Sequence, residues 1–346
     1  MVTPFGWCGD VGAARAAGLV LGAVADAVVG DPRRGHPVAA FGRAAAVVER
    51  ALYVDRATAG GVHVVLLVGG VAVAGGTAER VCRRHPAWQA LTTATATWVV
   101  LGGTSLAGEG SAMACSLRVG DVAAARRRLP SLCGRDPAML DAAGLARASL
   151  ESIAENTADA VVAPLLWGAV GGVPGLLAYR AVNTLDAMVG YRSARYRRFG
   201  SAAARLDDVA NLLPARVAAG LAALCAPVVG GTARDAVRAW WRDSAAHPSP
   251  NAGRVEAAFA GALGVRLGGR TVYPHGVEER PPLGDGPAPG VRDLQRGVRL
   301  SQAVGAAAVA LAAAVALTTS RSLREKWGRS GQRAVGAVVA AGAGRS

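Results

Sequence analysis

Five stretches of this chain hold no Asp, Glu, Lys or Arg: residues 57–78, 86–108, 160–179, 217–233 and 300–320. A helix crossing a bilayer needs about 20 mostly apolar residues, since lipid cannot satisfy its backbone groups. Runs of this length narrow the fold to a bundle of membrane helices. Residues 16–30 form a weaker sixth candidate, interrupted by Asp26. Composition agrees, with 52% of the 346 residues hydrophobic and 18% charged, where an ordinary soluble domain carries roughly 25% charged residues. The expected fold class is all-α: a polytopic membrane protein with about five transmembrane or membrane-embedded helices and polar helical loops. A single membrane-embedded domain is expected over 1–320, followed by a basic, low-complexity tail at 321–346.

The runs 57–78 and 86–108 are joined by "ERVCRRH", so they should form an antiparallel pair of spans. The run 160–179 differs, because it contains Pro164, Gly171, Gly172 and Pro174. If the polar blocks on either side face one compartment, this run cannot be a simple span. A broken or interfacial segment is expected there. Paired glycines such as Gly69-Gly70 and Gly102-Gly103 are expected to let helices approach closely.

The net charge of +14 is almost all arginine, with Lys326 the only lysine. The arginines are spread through every polar segment without interleaved aromatics, which argues against nucleic-acid binding. Cys8, Cys82, Cys115, Cys133 and Cys225 make no CxxC pair. They read as reduced thiols in a cytoplasm-facing or membrane-buried chain. Asp10 precedes the first arginine, Arg15, so no cleaved leader is expected. No GxxxxGK[ST], GxSxG or HExxH is present.

Four polar blocks carry the reactive side chains. "DAVVGDPRRGHPVAAFGR" presents Asp31, Arg33, Arg34 and His36 on a proline-fixed loop, or is a solvated turn after a helix. "ESIAENTADAVVAPLLW" sets Glu151, Glu155 and Asp159 along one helical face, beside Asn156 and against an apolar run. Unpaired carboxylates there are expensive unless a cation or arginines meet them, although a solvated acidic face fits the same spacing. "YRAVNTLDAMVGYRSARYRRFGSAAARLDDVANLLPAR" mixes Asn183, Asp186, Asp207, Asp208 and Asn211 with Arg180, Arg192, Arg195, Arg197, Arg198, Arg205 and Arg216. Arginine suits phosphate and aspartate suits metal, while a salt-bridged helix pair is the plainer alternative. "HPSPNAGRVEAAFAGALGVRLGG" brings His247, Ser249, Asn251 and Glu256 to a rigid turn before a helix, where Ser249 or Asn251 could equally be a cap.

In order, these four blocks resemble the signatures of the adenosylcobinamide-phosphate synthase family, CobD/CbiB, over about residues 16–315. One departure is "NAGRVEAA", where an aromatic residue is expected near Arg254. The resemblance implies a multi-pass cell-membrane enzyme with its active-site loops facing the cytoplasm. It would be a carbon–nitrogen ligase joining a corrin propionate of adenosylcobyric acid to (R)-1-amino-2-propanol or its O-phosphate. Mg²⁺ and ATP are the expected cofactors, and other late cobalamin-pathway enzymes are possible partners.

A carboxylate and an ammonium group condense only if the one is activated and the other deprotonated. On that chemistry Glu151, Glu155 and Asp159 are expected to act in catalysis, with Glu155, Asp186, Asp207 and Asp208 holding the metal. His36 or His247 would take the amine proton. Arg180, Arg195, Arg198 and Arg205 would hold phosphates, and Asn156, Asn183, Asn211, Ser249 and Asn251 would orient substrate. The rival readings are a membrane-embedded Mg²⁺-dependent prenyl- or phospho-alcohol transferase and an ion-coupled transporter.

Overall fold

The computed structural model describes residues 7–343 apart from 33–34, 192 and 274–275, with side chains over 11–319 except at 272, 273 and 277. Arg33, Arg34 and Arg192 therefore lie outside the described residues. The chain is helical almost throughout: α1 (Trp7–Val29), α2 (Pro37–Leu52), α3 (Ala57–Cys82), α4 (Pro86–Val100), α5 (Gly103–Arg118), α6 (Val122–Arg128), α7 (Ala142–Thr157) and α8 (Ala163–Val189). After these come α9 (Ser201–Ala210), α10 (Leu212–Cys225), α11 (Ala233–Asp243) and α12 (Ala252–Leu263). An antiparallel hairpin of β1 (Leu267–Tyr273) and β2 (Gly276–Leu283) precedes α13 (Val291–Ala343). This small hairpin is absent from the sequence expectation. Alternating residues in "LGGRTVY" are masked there by two glycines and flanking prolines.

Among the described residues five helices are long and apolar enough to cross a membrane: Val11–Val29, Ala57–Cys82, Ala142–Val189, Leu212–Val229 and Val291–Thr319. Two expectations change. The interrupted run 16–30 is helical up to Val29, within the 23-residue α1. The run 86–108 is not one span, because it breaks at Leu101–Gly102 into α4 and α5. The 15 residues of α4 reach about 22 Å, and the helix packs chiefly along α1. Close approach comes from Gly18 and Gly22, not from Gly69-Gly70. A Cβ at Gly18 would lie 2.5 Å from Thr93 Cβ, and one at Gly22 would lie 2.4 Å from Thr97 Cβ, whereas nothing lies within 4 Å of Gly69 or Gly70. The segment Leu212–Val229, which is α10 with the 3₁₀ turn that follows it, also has spanning length, yet α10 packs with the arginine-bearing α11 and with α12. The Arg296 side chain, ahead of the apolar part of α13, donates to the Val229 and Leu263 carbonyls.

The segment 160–179 is broken, as its prolines and glycines require. Gly172 takes φ 62°, ψ −149°, a backbone region open essentially to glycine, and splits α8 into two arms. The arms fold back on each other: a Cβ at Gly175 would lie 2.3 Å from the Trp167 carbonyl oxygen, and one at Gly168 would meet Leu176. From Asp159 to Gly172 and from Gly172 to Asp186 the arms are each about 20 Å long, so both acids end at the same level. They line one cavity.

The break exposes backbone groups that an apolar surrounding cannot satisfy. An ion pair supplies partners for both sides. Arg15 donates to the carbonyls of Ala169 and Val170 (3.3 and 3.2 Å), Val173 N–H donates to Glu79 (3.1 Å), and Arg15 and Glu79 pair at 2.9 Å. A Cβ at Gly172 would lie 2.4 Å from Glu79 Oε2. Gly172→Ala should therefore destabilise the fold by about 1–3 kcal/mol of backbone strain plus the displaced carboxylate. Unfolding in detergent followed by circular dichroism measures it; a wild-type midpoint would contradict this account of the break.

Candidate active site

The acidic stripe starts on α7, whose N-terminus is capped by Asp141 accepting from Gly144 N–H at 2.7 Å. A π-turn over Ala158–Val162 then widens the helix. Such turns recur at functional sites because they re-aim side chains against the helical ladder. The stripe divides ahead of that turn, between Glu151 and Glu155. Glu155 and Asp159 face a cavity of about 110 Å³, together with Asp186 from α8 and Asp207 and Asp208 from α9. Asn211, Ser249 and Asn251 complete its polar lining.

Glu151 points elsewhere, which corrects its placement in the reacting set. It is 1% exposed, pairs with the buried Arg135, and accepts from Gly268 N–H at 2.7 Å. Behind the cavity wall it shares a buried ionic cluster with Glu256, His247 and Arg280. His247 Nε2 lies 3.8 Å and Arg280 3.9 Å from Glu256. Burial, then the Glu151 and Glu155 carboxylates, push the Glu256 carboxyl well up. Burial, then the Arg280 charge, push His247 down. Sequence reasoning missed Arg135 and Arg280, which carry no signal beyond being two arginines among many.

Inside the cavity the polar groups orient one another. Asn211 Nδ2 donates to Asp207 at 3.0 Å, while its Oδ1 accepts from Tyr179 OH at 2.8 Å. Asn183 Nδ2 approaches Asp207 at 3.5 Å. Asn251 Nδ2 donates to the Asp208 carbonyl at 2.8 Å. Ser249 does what a cap does, accepting from Asn251 and Ala252 N–H at 3.3 and 3.1 Å at the start of α12. Burial, and next the Asp186 carboxylate, raise Asp207 to about 7.

A second cavity of about 400 Å³ lies along α5, α7 and α8, lined by Asp31, Ser105, Glu109, Asn156, Arg180, Asn183 and Thr184 among others. Ser105 donates to Asp31 at 2.5 Å, and His36 Nε2 lies 3.6 Å from Asp31 on the far side. His36 Nδ1 accepts from Val38 N–H at 3.1 Å and caps α2. His247 Nδ1 likewise accepts from Ser249 N–H at 3.1 Å. Each imidazole thus has its acceptor nitrogen occupied and its other nitrogen facing a carboxylate. Neither is placed as a free base.

Of the expected phosphate-holding arginines, Arg180 alone lines a described cavity. Arg195 pairs with Glu49 at 3.0 Å and stacks 4.0 Å over Tyr53, Arg198 faces Asp55 at 3.7 Å, and Arg205 is exposed on α9. Ser105, Glu109 and Tyr179 were not legible as site residues, since each depends on which helices meet.

The donor set fits a hard divalent cation in one manner only. All the acidic cavity's ligands are oxygens, and Mg²⁺ takes one or two carboxylates with substrate phosphate and water. Among the described residues no three His, Cys, Asp or Glu side chains converge into an all-protein cage.

The Asp207 shift makes a prediction. A carboxyl held near 7, above its usual 3.8, keeps its proton in the folded chain while the unfolded chain releases it. Its stabilising increment is full below about pH 4 and is lost as pH rises through about 7. In EDTA, Asp207→Asn should raise the unfolding temperature more at pH 8 than at pH 5; an equal shift at both would refute the assignment.

The chain is similar to known proteins over most of its length. Residues 19–301 match the family described as CobD/Cbib protein. The cobalamin biosynthesis protein CobD of Mycobacterium tuberculosis (strain ATCC 25618 / H37Rv) is 61% identical over 298 residues, covering 86% of this chain and 95% of that protein. The CobD proteins of Geobacter metallireducens and Klebsiella pneumoniae subsp. pneumoniae are 45% and 41% identical, over 78% and 83% of this chain and 87% and 93% of their own lengths. No solved structure matches. With a family match across most of its length and relatives this similar, the chain belongs to the CobD/CbiB family of cobalamin biosynthesis proteins.

Proposed function

We propose that this protein is the amide-forming ligase of adenosylcobalamin biosynthesis, joining adenosylcobyric acid to (R)-1-amino-2-propanol or its O-phosphate. The observation that carries this reading is the pairing of two polar cavities along α7 and α8, one acidic and one with a single lining arginine. The reaction joins a carboxylate to an ammonium group with net loss of one water. It needs a place where phosphoryl charge is neutralised and a place that binds the small amine.

The cavity of about 400 Å³ is at the small end of ligand pockets, which suits an amino alcohol and not a corrin. Arg180 would hold a phosphate ester there, its planar fork being suited to that group. Asp31, with His36 behind it and Ser105 donating to its other oxygen, is the group placed to receive the amine proton. Asn156, Asn183 and Thr184 supply further polar contacts. In the acidic cavity one or two of Glu155, Asp186, Asp207 and Asp208 would hold Mg²⁺, with nucleotide phosphate and water completing its shell. A bound magnesium nucleotide would supply the phosphoryl group that activates the corrin carboxylate. Asn211 and Asn251 keep the acidic wall in position for it. The corrin, too large for either cavity, would lie across their mouths on the cytoplasmic face of the cell membrane.

Reconstitution tests the reading. Detergent-purified protein, adenosylcobyric acid, the amino alcohol or its phosphate, and Mg²⁺ with or without ATP should yield a corrin heavier by the amine component minus water, read by mass spectrometry. No product from folded protein would move weight to a Mg²⁺-dependent phospho-alcohol transferase, which would also use the acids of the smaller cavity. Within the ligase reading, Glu155→Gln should lower kcat by at least about a hundredfold, as loss of a group acting in the transition state does. Arg180→Ala should mainly raise KM, and more for the phosphorylated amine than for the free one. Full turnover by the first, or equal effects on both amines by the second, would remove those residues from their roles.

A further inference from the structure

A third cavity, of about 520 Å³, lies on the other side of α5 from the amine pocket, between α1, α5 and α13. The reaction described above makes no use of it. Its one charged lining residue is Asp26, 6% exposed and placed within the apolar length of α1. The two carboxylate oxygens differ. Oδ2 accepts from Thr104 N–H and Oγ1, both at 3.1 Å, and so caps the start of α5. Oδ1 is buried and accepts no hydrogen bond from the protein. A carboxylate oxygen in an apolar setting is costly without a donor. The capping role accounts for one oxygen and leaves the other.

The lining changes character along the helix axes. Asp26, Ser301 and Gln302 lie at one end of the cavity's lining, and Ala23, Gly305, Ala306 and Val309 continue it toward the interior of the apolar segments. The rim is open, with Gly108, Ser111, Gln302 and Ala306 all exposed. The polar end sits near the C-terminus of α1, next to the loop that carries Asp31 to the amine pocket. With α1 and α13 crossing a bilayer, Asp26, three residues from the end of the candidate span Val11–Val29, would lie toward the headgroups, and Ala306 and Val309 would lie toward the acyl chains.

We propose that this cavity binds a membrane lipid whose headgroup carries a primary ammonium, the ammonium donating to Asp26 Oδ1 and an acyl chain lying along Ala306 and Val309. A primary ammonium supplies both the charge and the hydrogen-bond donor that the oxygen lacks. A quaternary ammonium supplies only charge, and an anionic headgroup is repelled. The lipid would brace the N-terminus of α5, whose next turns carry Ser105 and Glu109 of the amine pocket. The site stands independently of the ligase reading, because it is defined by binding alone.

The test is native mass spectrometry of the full chain in detergent, with phosphatidylethanolamine, phosphatidylcholine or phosphatidylglycerol added. The wild type should retain one phosphatidylethanolamine, at least about tenfold more strongly than either other lipid. Asp26→Asn should reduce that retention to the level of phosphatidylcholine. Equal retention of all three lipids by the wild type overturns the proposal, as does unchanged retention by a folded Asp26→Asn. Should that variant lose its fold with the α5 cap, Ala306→Phe substitutes an exposed residue without a polar contact. It should displace the lipid by filling the mouth, and undiminished lipid binding by it overturns the proposal equally.

Discussion

The capped break at Gly172 is the constraint on which the remaining structure depends. An apolar segment entering a bilayer normally continues to the other face, because reversing inside it strands backbone groups without water. Here the reversal is made at a glycine, and Arg15 and Glu79 supply both the donors and the acceptor that the open turn demands. Two arms of similar length then return the chain to the level at which it entered. Asp159 at the start of one arm and Asp186 near the end of the other can therefore share a cavity. Without the break they would face opposite sides of the membrane.

The same arrangement resolves why carboxylates sit at the edge of a greasy run. The apolar residues of α8 belong to the scaffold, and the acids at its two ends belong to one polar site. α9 adds Asp207 and Asp208, and the start of α12 adds Asn251. The cavity therefore concentrates negative charge with little internal neutralisation, and Asp207 is raised first by its burial and then by the Asp186 carboxylate. Such a wall is poorly suited to stability and well suited to a cation-bearing ligand. The buried cluster of Glu151, Arg135, Glu256, His247 and Arg280 works in the opposite sense. Its charges largely face one another, and it ties α7, α12 and the β-hairpin together.

Spacing along a helix is a statement about faces, and it fails where the ladder changes or where a neighbour claims a residue first. Glu151, Glu155 and Asp159 read as one stripe, yet Arg135 claims the first, while the other two keep a common cavity although the π-turn begins between them. Arg195 and Arg198 read as phosphate ligands because they are dense in sequence, but α9 follows a turn that directs them to the buried Glu49 and the exposed Asp55. His36 and His247 read as bases by residue type, and both are held as turn and cap acceptors by nearby backbone N–H groups. Ser249 and Asn251 were legible as caps or as substrate contacts. Both descriptions hold in part, since Ser249 caps α12 and Asn251 lines the cavity.

The sequence by itself determined the helical membrane class, the broken character of 160–179 and the family, because these depend on local composition, on residues that forbid regular helix, and on long ordered blocks. It also named all five acids that line the smaller cavity. Only the tertiary structure decided which polar residues act together. That choice rests on contacts between positions far apart in the chain, such as Arg15 with Glu79, Tyr179 with Asn211, and Asp31 with Ser105. Periodicity records which way a side chain faces, and it carries no record of what stands opposite.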